Sequence, residues 1–312
     1  MAVTTRLWAP DWMSTSALPW LQEAIDWGRK KKPLFYEPIF NMETTDRPYE
    51  QYTSITKFGL MAETDENAPY YEDSPLQGFD LTLTPLQYSL GFKVSRLAYD
   101  DDKLGVSRNL ASGLGESDTE TRNQLAAYII NNGTSSTLVP VADGAALWST
   151  SHLREDGVSF RNRLATAADF NLTSWKTALT DFATQFKSGR GFFQNYVPRY
   201  ILTHYDTYND IREVLESQLK PNTADNTTNV YRDFWGSGDF NLLPPCAYLT
   251  DTDSVYLFAD KADHGFVHLE REAFNTQSDV EFKTRALLTA GWARYDNGVT
   301  NNGIGCYAMI GA

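Results

Sequence analysis

Residues 282–298 read FKTRALLTAGWARYDNG, and a Gly/Asn-rich turn follows. Phe282, Thr284, Ala286 and Leu288 share one side of an extended chain, with Lys283 and Arg285 partly on the other. That alternation predicts a long strand of mixed character near the carboxy terminus. Small enzymes rarely end on so long and so mixed a strand.

Upstream, residues 171–270 read as a small α/β unit. Trp175, Ala178, Leu179, Phe182 and Phe186 define one amphipathic helix, with Thr173 as its expected cap. Tyr200, Ile201 and Leu202 form a short apolar strand. A second helix is predicted over 205–219, with Ile211, Val214, Leu215 and Leu219 inward. A polar loop at 220–228 precedes strands near 242–249 and 255–258. A sheet flanked by two helices would bury these faces.

Further upstream, residues 103–132 have a helical pattern, with Leu110, Leu114, Thr121, Leu125 and Ile129 near one face. Asp101 and Asp102 suit its amino-terminal end and Gly133 its stop. Its length would be roughly 45 Å at about 1.5 Å per residue. Gly113 and Gly115 predict a bend. Residues 51–94 read as β-structure: Phe79, Leu81 and Leu83 alternate, Pro85 marks a bulge or an edge, and Leu86, Tyr88, Leu90, Phe92 and Val94 alternate again. Between the two arms lies an acidic tip with Glu63, Asp65, Glu66, Glu72 and Asp73 and no basic residue. A two-stranded hairpin is marginal alone in water, so this one is expected to lie on another surface. In the first 50 residues Trp8, Trp12, Trp20 and Trp27 are spread among prolines, with one short helix over 18–27. The basic run Arg29, Lys30, Lys31 and Lys32 follows.

The 312 residues carry a formal net charge of −13, which argues against a protein that grips nucleic acid electrostatically. It suits one that surrounds a polyanion without holding it, and equally a protein whose acidic surface serves solubility alone. Cys246 and Cys306 are too few and too far apart for a disulfide framework or a zinc site. Neither a membrane-length apolar run nor a secretory leader is evident, which predicts use in a cytoplasm. Ser149, His152 and Asp156 lie too close in one loop to converge as a triad, and no Gly-x-Ser-x-Gly elbow is present. Asp260, Asp263, His264 and His268 are expected in a solvated loop and strand rather than around a metal. No catalytic residue, metal ligand or cofactor is therefore expected.

The order of arm, long β-hairpin, long helix, α/β unit and return strand is similar to the major capsid proteins of tailed bacteriophages, the Hong Kong 97 fold. Ala146-Leu147-Trp148-Ser149 with His152 resembles a segment just after the spine helix in some phage head proteins. Tyr200-Ile201-Leu202 leading into 205–219 looks like the family's apolar strand and following helix. The resemblance implies an α+β fold divided into an amino-terminal arm (1–50), an extended loop (51–97) and a peripheral domain with its spine helix (98–170). An α/β axial domain (171–270) and peripheral return strands (271–312) complete it. It also implies a major capsid protein, not an enzyme. Such a protein self-assembles into hexamers and pentamers of an icosahedral shell around viral double-stranded DNA, which it encloses without specific binding.

The implied partners are other copies of the chain, with portal, scaffolding and decoration proteins as further candidates and no membrane. The implied location is the virion capsid, assembled in the host cytoplasm. Candidate intersubunit contacts are Trp8, Trp12, Trp20, Trp27, Arg29, Lys30, Lys31, Lys32, Glu63, Asp65, Glu66 and Arg285. Lys57 lies on the first hairpin arm and not at the tip, so no covalent crosslink is expected. No long charged helical segment precedes the arm, so scaffolding is expected to be a separate protein or dispensable. The alternatives are an encapsulin-like nanocompartment shell or, from another class, an acidic α/β hydrolase or carbohydrate-binding protein.

Overall fold

The computed structural model describes residues 18–101, 105–220, 227–232, 240–281, 283–284 and 286–311. The first half of the chain holds α1 (Leu18–Lys30), β1 (Asn41–Thr44), β2 (Glu50–Ile55), β3 (Gln77–Leu83), β4 (Leu86–Val94), α2 (Arg96–Asp100) and α3 (Val106–Asn131). Next come β5 (His152–Leu153), β6 (Ser159–Phe160), α4 (Leu172–Gln185), β7 (Tyr200–Thr203), α5 (Tyr205–Glu216) and β8 (Asn241–Leu242). The last elements are β9 (Val255–Phe258), β10 (Phe266–Val280), β11 (Leu287–Val299) and β12 (Cys306–Met309).

A long sheet has the order β1-β10-β11-β4. β10 and β11 pair antiparallel from Phe266↔Val299 out to Val280↔Leu287, with irregularities around Glu272. The predicted carboxy-terminal strand is thus β11, but it starts at Leu287. The chain turns just before it, where the Glu281 N–H donates to the Ala286 carbonyl at 3.0 Å. Its inward phase is Leu287, Thr289, Gly291, Ala293 and Tyr295, and Leu288 faces out. β11 is also not the last strand: β12 follows and joins the second sheet.

That second sheet has the order β12-β9-β7-β8 and is covered on both sides. Alternate residues of a strand point to opposite faces, and here the two phases enter two different cores. Leu202, Tyr256, Phe258, Cys306 and Ala308 pack with Trp148, Ile130 and Phe266. Ile201, Val255, Leu257, Tyr307 and Met309 pack with Trp175, Phe182 and Ile211 of α4 and α5. This explains the uniformly apolar strands, which carry no alternation in sequence. α4 is capped by Asn171 rather than Thr173: its side chain accepts from the N–H groups of Thr173 and Ser174, and Ser174 completes the capping box. α5 ends at Glu216, which leaves Leu219 beyond it and exposed. The strand pairing also crosses the expected domain bounds at two places. Phe266 to Glu270 belong to the long sheet, and Cys306–Met309 belong to the α/β unit.

α3 runs unbroken through Gly113 and Gly115 over its 26 residues. Gly115 serves close packing. A Cβ there would sit 2.1 Å from the Ile25 carbonyl oxygen, and one on Gly28 would sit 2.1 Å from that of Ser112. α1 therefore crosses α3 nearly backbone to backbone. The inward side of α3 holds Ala111, Leu114, Ala126 and Ile130 but also Asp118, Arg122 and Asn123, whereas Leu110 is exposed and Leu125 half-buried. Leu114 and Ile129 are buried as the spacing predicts, and the buried face extends beyond the apolar set because much of it is polar and internally satisfied. Arg122 Nε donates to Asp118 at 3.1 Å and Nη2 to Glu270 at 2.8 Å, and its guanidinium lies 4.5 Å from the centre of the Tyr295 ring. Its Nη1 meets His268 Nε2 at 3.3 Å, and because arginine only donates, that nitrogen accepts. His268 Nδ1–H then donates to Asn297 Oδ1 at 2.6 Å.

Candidate assembly surface

The hairpin is built from β2 and β3, paired from Glu50↔Leu83 to Ile55↔Gln77. Its base is anchored where Leu83, Leu81 and Tyr52 meet Val267 and Leu269 of β10. At Thr84 the chain leaves the hairpin for the long sheet, with the Thr84 N–H on the Asp296 carboxylate at 3.0 Å. Pro85, lacking an N–H, sits in that gap between β3 and β4. Beyond Ile55 the two legs stay linked: Thr56 N–H donates to the Leu76 carbonyl at 2.9 Å, and Leu76 N–H to the Thr56 hydroxyl at 2.8 Å. Gly59 N–H donates to Asp73 Oδ2 at 2.7 Å. That bond, ahead of the nearby Arg190 charge, outweighs desolvation and holds the Asp73 carboxyl below the usual carboxylate range.

The apex exposes large apolar side chains: Phe58 at 64%, Leu60 at 80%, Met61 at 100% and Tyr70 at 93%. Monomeric proteins rarely display so many together, and a patch of this kind marks an interaction site. The acidic residues of the tip dominate its sequence and mask this apolar set. The available signal was Phe58-Gly59-Leu60-Met61 and Pro69-Tyr70-Tyr71, two apolar runs inside an otherwise polar turn. Glu63, Asp65 and Glu66 are exposed beside them.

Of the other candidate contacts, Trp8, Trp12 and Arg285 lie outside the described residues. Trp20 is half-buried against the small core of Leu21, Ala24, Ile25, Ala111 and Leu114. Trp27 is 62% exposed, with the Lys31 ammonium 5.6 Å from its ring centre. Most of the basic run is engaged within the chain. Arg29 pairs with Asp118 at 3.0 Å, Lys31 with Glu116 at 2.8 Å and Lys32 with Glu120 at 2.8 Å, all on α3. Lys30 is exposed. The Lys31 bond, despite partial desolvation, keeps the Glu116 carboxyl low, and the Lys32 bond does the same for Glu120. Asp73 also has an intrachain partner, Arg190, at 3.2 Å.

His152 is fully buried, and its partner is Asp143 at 2.9 Å, not Asp156. Its other ring nitrogen lies 3.0 Å from the Leu147 carbonyl oxygen. Asp156 instead pairs with Arg154 at 2.7 Å, and Ser149 Oγ accepts from the Ser151 N–H. The three residues therefore do not form a nucleophile, base and acid. His264 and His268 are buried in the interior, not in a solvated loop. Among the described residues no group of three or more His, Cys, Asp or Glu side chains could hold a metal. No described helix is long and apolar enough to cross a membrane.

A family model described as phage capsid protein matches residues 80–307. The chain belongs to that family. Solved capsid structures share its fold. The capsid of a native GTA particle is 13% identical, with a TM-score of 0.61 over 90% of this chain and 91% of that one. The virus-like particle from Pyrococcus furiosus is 11% identical, with a TM-score of 0.56 over 94% and 99%. Mycobacterium phage Adephagia gives 10%, 0.56, 90% and 91%. No curated protein matches by sequence. The α+β, Hong Kong 97-like fold and the capsid-protein role inferred from the order of elements both hold, and the encapsulin-like alternative is not favoured.

Proposed function

We propose that this capsid protein builds its shell by docking the apex of its 51–97 hairpin and the exposed side of α1 against neighbouring copies. The copies form hexamers and pentamers of an icosahedral shell that encloses double-stranded DNA without gripping it. The observation that carries this reading is the hairpin apex, where Phe58, Leu60, Met61 and Tyr70 are exposed in the single chain. Their burial against a neighbour would be worth roughly 1.5–3 kcal/mol for each large side chain. Many identical contacts then add around a closed shell.

In this reading the work of the protein is assembly, with no catalytic step. Trp27, Lys30, Glu63, Asp65 and Glu66 lie on or beside the contacting faces. The net charge of −13 suits a shell that encloses a polyanion without trapping it. Portal, scaffolding and decoration proteins are the further partners, and the virion capsid, formed in the host cytoplasm, is the location.

Negative-stain microscopy of the expressed chain decides the matter. Closed shells, tubes or capsomers are expected, and purified virions should carry the chain as their main shell component. A monomer that stays monomeric at high concentration, and is absent from particles, would overturn the reading.

A further inference from the structure

One guanidinium holds the hairpin apex to the body of its own chain. Arg190 Nη2 donates to Asp73 Oδ1 at 3.2 Å and to the Ser74 carbonyl, and Nε donates to the Lys57 carbonyl at 3.4 Å. It thereby reaches both legs, Lys57 on the outgoing one and Asp73 and Ser74 on the return. Arg190 itself stands on a stiff mount. Lys187 and Phe193 bridge, Ser188 N–H donates to the Phe192 carbonyl at 2.7 Å, and Gly191 turns the chain at φ 83°.

Beside the guanidinium, two glycines let side chains lie directly against their backbone. A Cβ on Gly189 would lie 2.5 Å from both Glu155 Oε2 and Thr56 Cγ2. One on Gly78 would lie 2.1 Å from Ser54 Oγ and 2.5 Å from Glu155 Cγ. Glu155 is thus fitted between the hairpin shaft and the 187–193 turn. All of these contacts are polar or made by small residues. The apolar side chains of the apex, Phe58, Leu60, Met61, Tyr70 and Tyr71, remain exposed.

We propose that Arg190 is a positioning residue for shell assembly: it clamps both hairpin legs to the body of the free subunit, so that the apolar apex is presented in one orientation to a second copy. The proposal rests on the assembly reading above and adds a residue that composition and motif give no reason to select. A two-stranded hairpin is marginal alone, so an unclamped apex would sample many directions and lose that freedom on docking. Lysine could not replace Arg190, because one ammonium cannot span acceptors on both legs as a planar fork does.

The test uses the full chain, as free subunit below its assembly concentration and as assembling protein above it. In Arg190→Ala, amide exchange across residues 57–75 of the free subunit should rise about two- to fivefold, the range open to a partly exposed ion pair. The concentration needed for assembly should rise by a similar factor, with the global unfolding midpoint unchanged. Arg190→Lys should behave like Arg190→Ala, and Asp73→Asn should shift both readouts the same way. The double variant Arg190→Asp/Asp73→Arg should recover part of both. Unchanged exchange in Arg190→Ala would refute the clamp. Faster exchange with unaltered assembly would reduce Arg190 to a local structural contact and overturn the positioning role. If the wild-type chain forms no shell, the assembly reading fails and takes the positioning role with it, while the exchange result still decides the clamp.

Discussion

Arg122 shows how one buried side chain can join four elements. Its bonds to Asp118 on α3 and Glu270 on β10, the face of Tyr295 on β11, and Asp118's second bond to Arg29 just inside the end of α1 form one network. Buried charges of this kind stabilise only when every partner is present. His264 sits elsewhere in the core, with Nδ1 accepting from the Phe266 N–H at 3.3 Å. Burial pushes its imidazole down to about 4, from an ordinary value near 6.5. The folded state therefore keeps His264 neutral, whereas the unfolded chain binds a proton below about pH 6.5. Stability is lost as pH falls from about 6.5 toward 4, by up to about 3 kcal/mol from this residue. His264→Asn retains an acceptor for Phe266 and binds no proton. Urea unfolding at pH 7 and pH 4.5 should show a smaller acid loss in the variant, and an equal loss in both would remove His264 as its source.

At the scale of elements, the α1–α3 crossing depends on two missing side chains. Gly115 faces Ile25 and Gly28 faces Ser112 with no room for a Cβ, yet a Cβ on Gly113 would meet nothing within 4 Å. Two glycines two residues apart on one helix should therefore respond oppositely to alanine. Gly115→Ala should destabilise by about 1–3 kcal/mol, because backbone and not a flexible side chain must move. Gly113→Ala should stabilise by up to about 1 kcal/mol through helix propensity alone. Chemical denaturation of both variants checks this, and matched shifts of the same sign would show that the crossing is looser than described. From sequence both glycines predicted a bend, since propensity registers a missing side chain and says nothing of what lies beside it.

At the scale of the whole molecule, the chain exposes 18,020 Å² of surface. A compact monomer of its mass should expose roughly 13,000 Å². The exposed apex of the hairpin contributes to this excess, with Met61 wholly exposed and Leu60 nearly so. Replacing both, Leu60→Ser with Met61→Ser, should leave the thermal unfolding of the free subunit within about 0.5 kcal/mol of wild type. Assembly should fall sharply, as judged by sedimentation and microscopy. Particles formed in normal yield would mean that the apex packs against nothing in the shell.

The sequence by itself determined the order of elements, and with it the capsid resemblance. Strand alternation in 79–94, helical spacing in 175–186 and the apolar strand at 200–202 are local patterns that each segment carries wherever it packs. It also excluded a Ser149–His152–Asp156 site, because three neighbours in one loop cannot converge as a triad. Only the tertiary structure showed how much of the buried face of α3 is polar, since Asp118, Arg122 and Asn123 are tolerated there by partners distant in sequence. It alone moved Cys306–Met309 into the second sheet, because a strand apolar on both faces does not say which two cores it divides. It alone tied Arg29, Lys31 and Lys32 to α3 and Arg190 to the hairpin. A charge shows its sign in sequence, but its partner is set by which backbones the fold brings within reach.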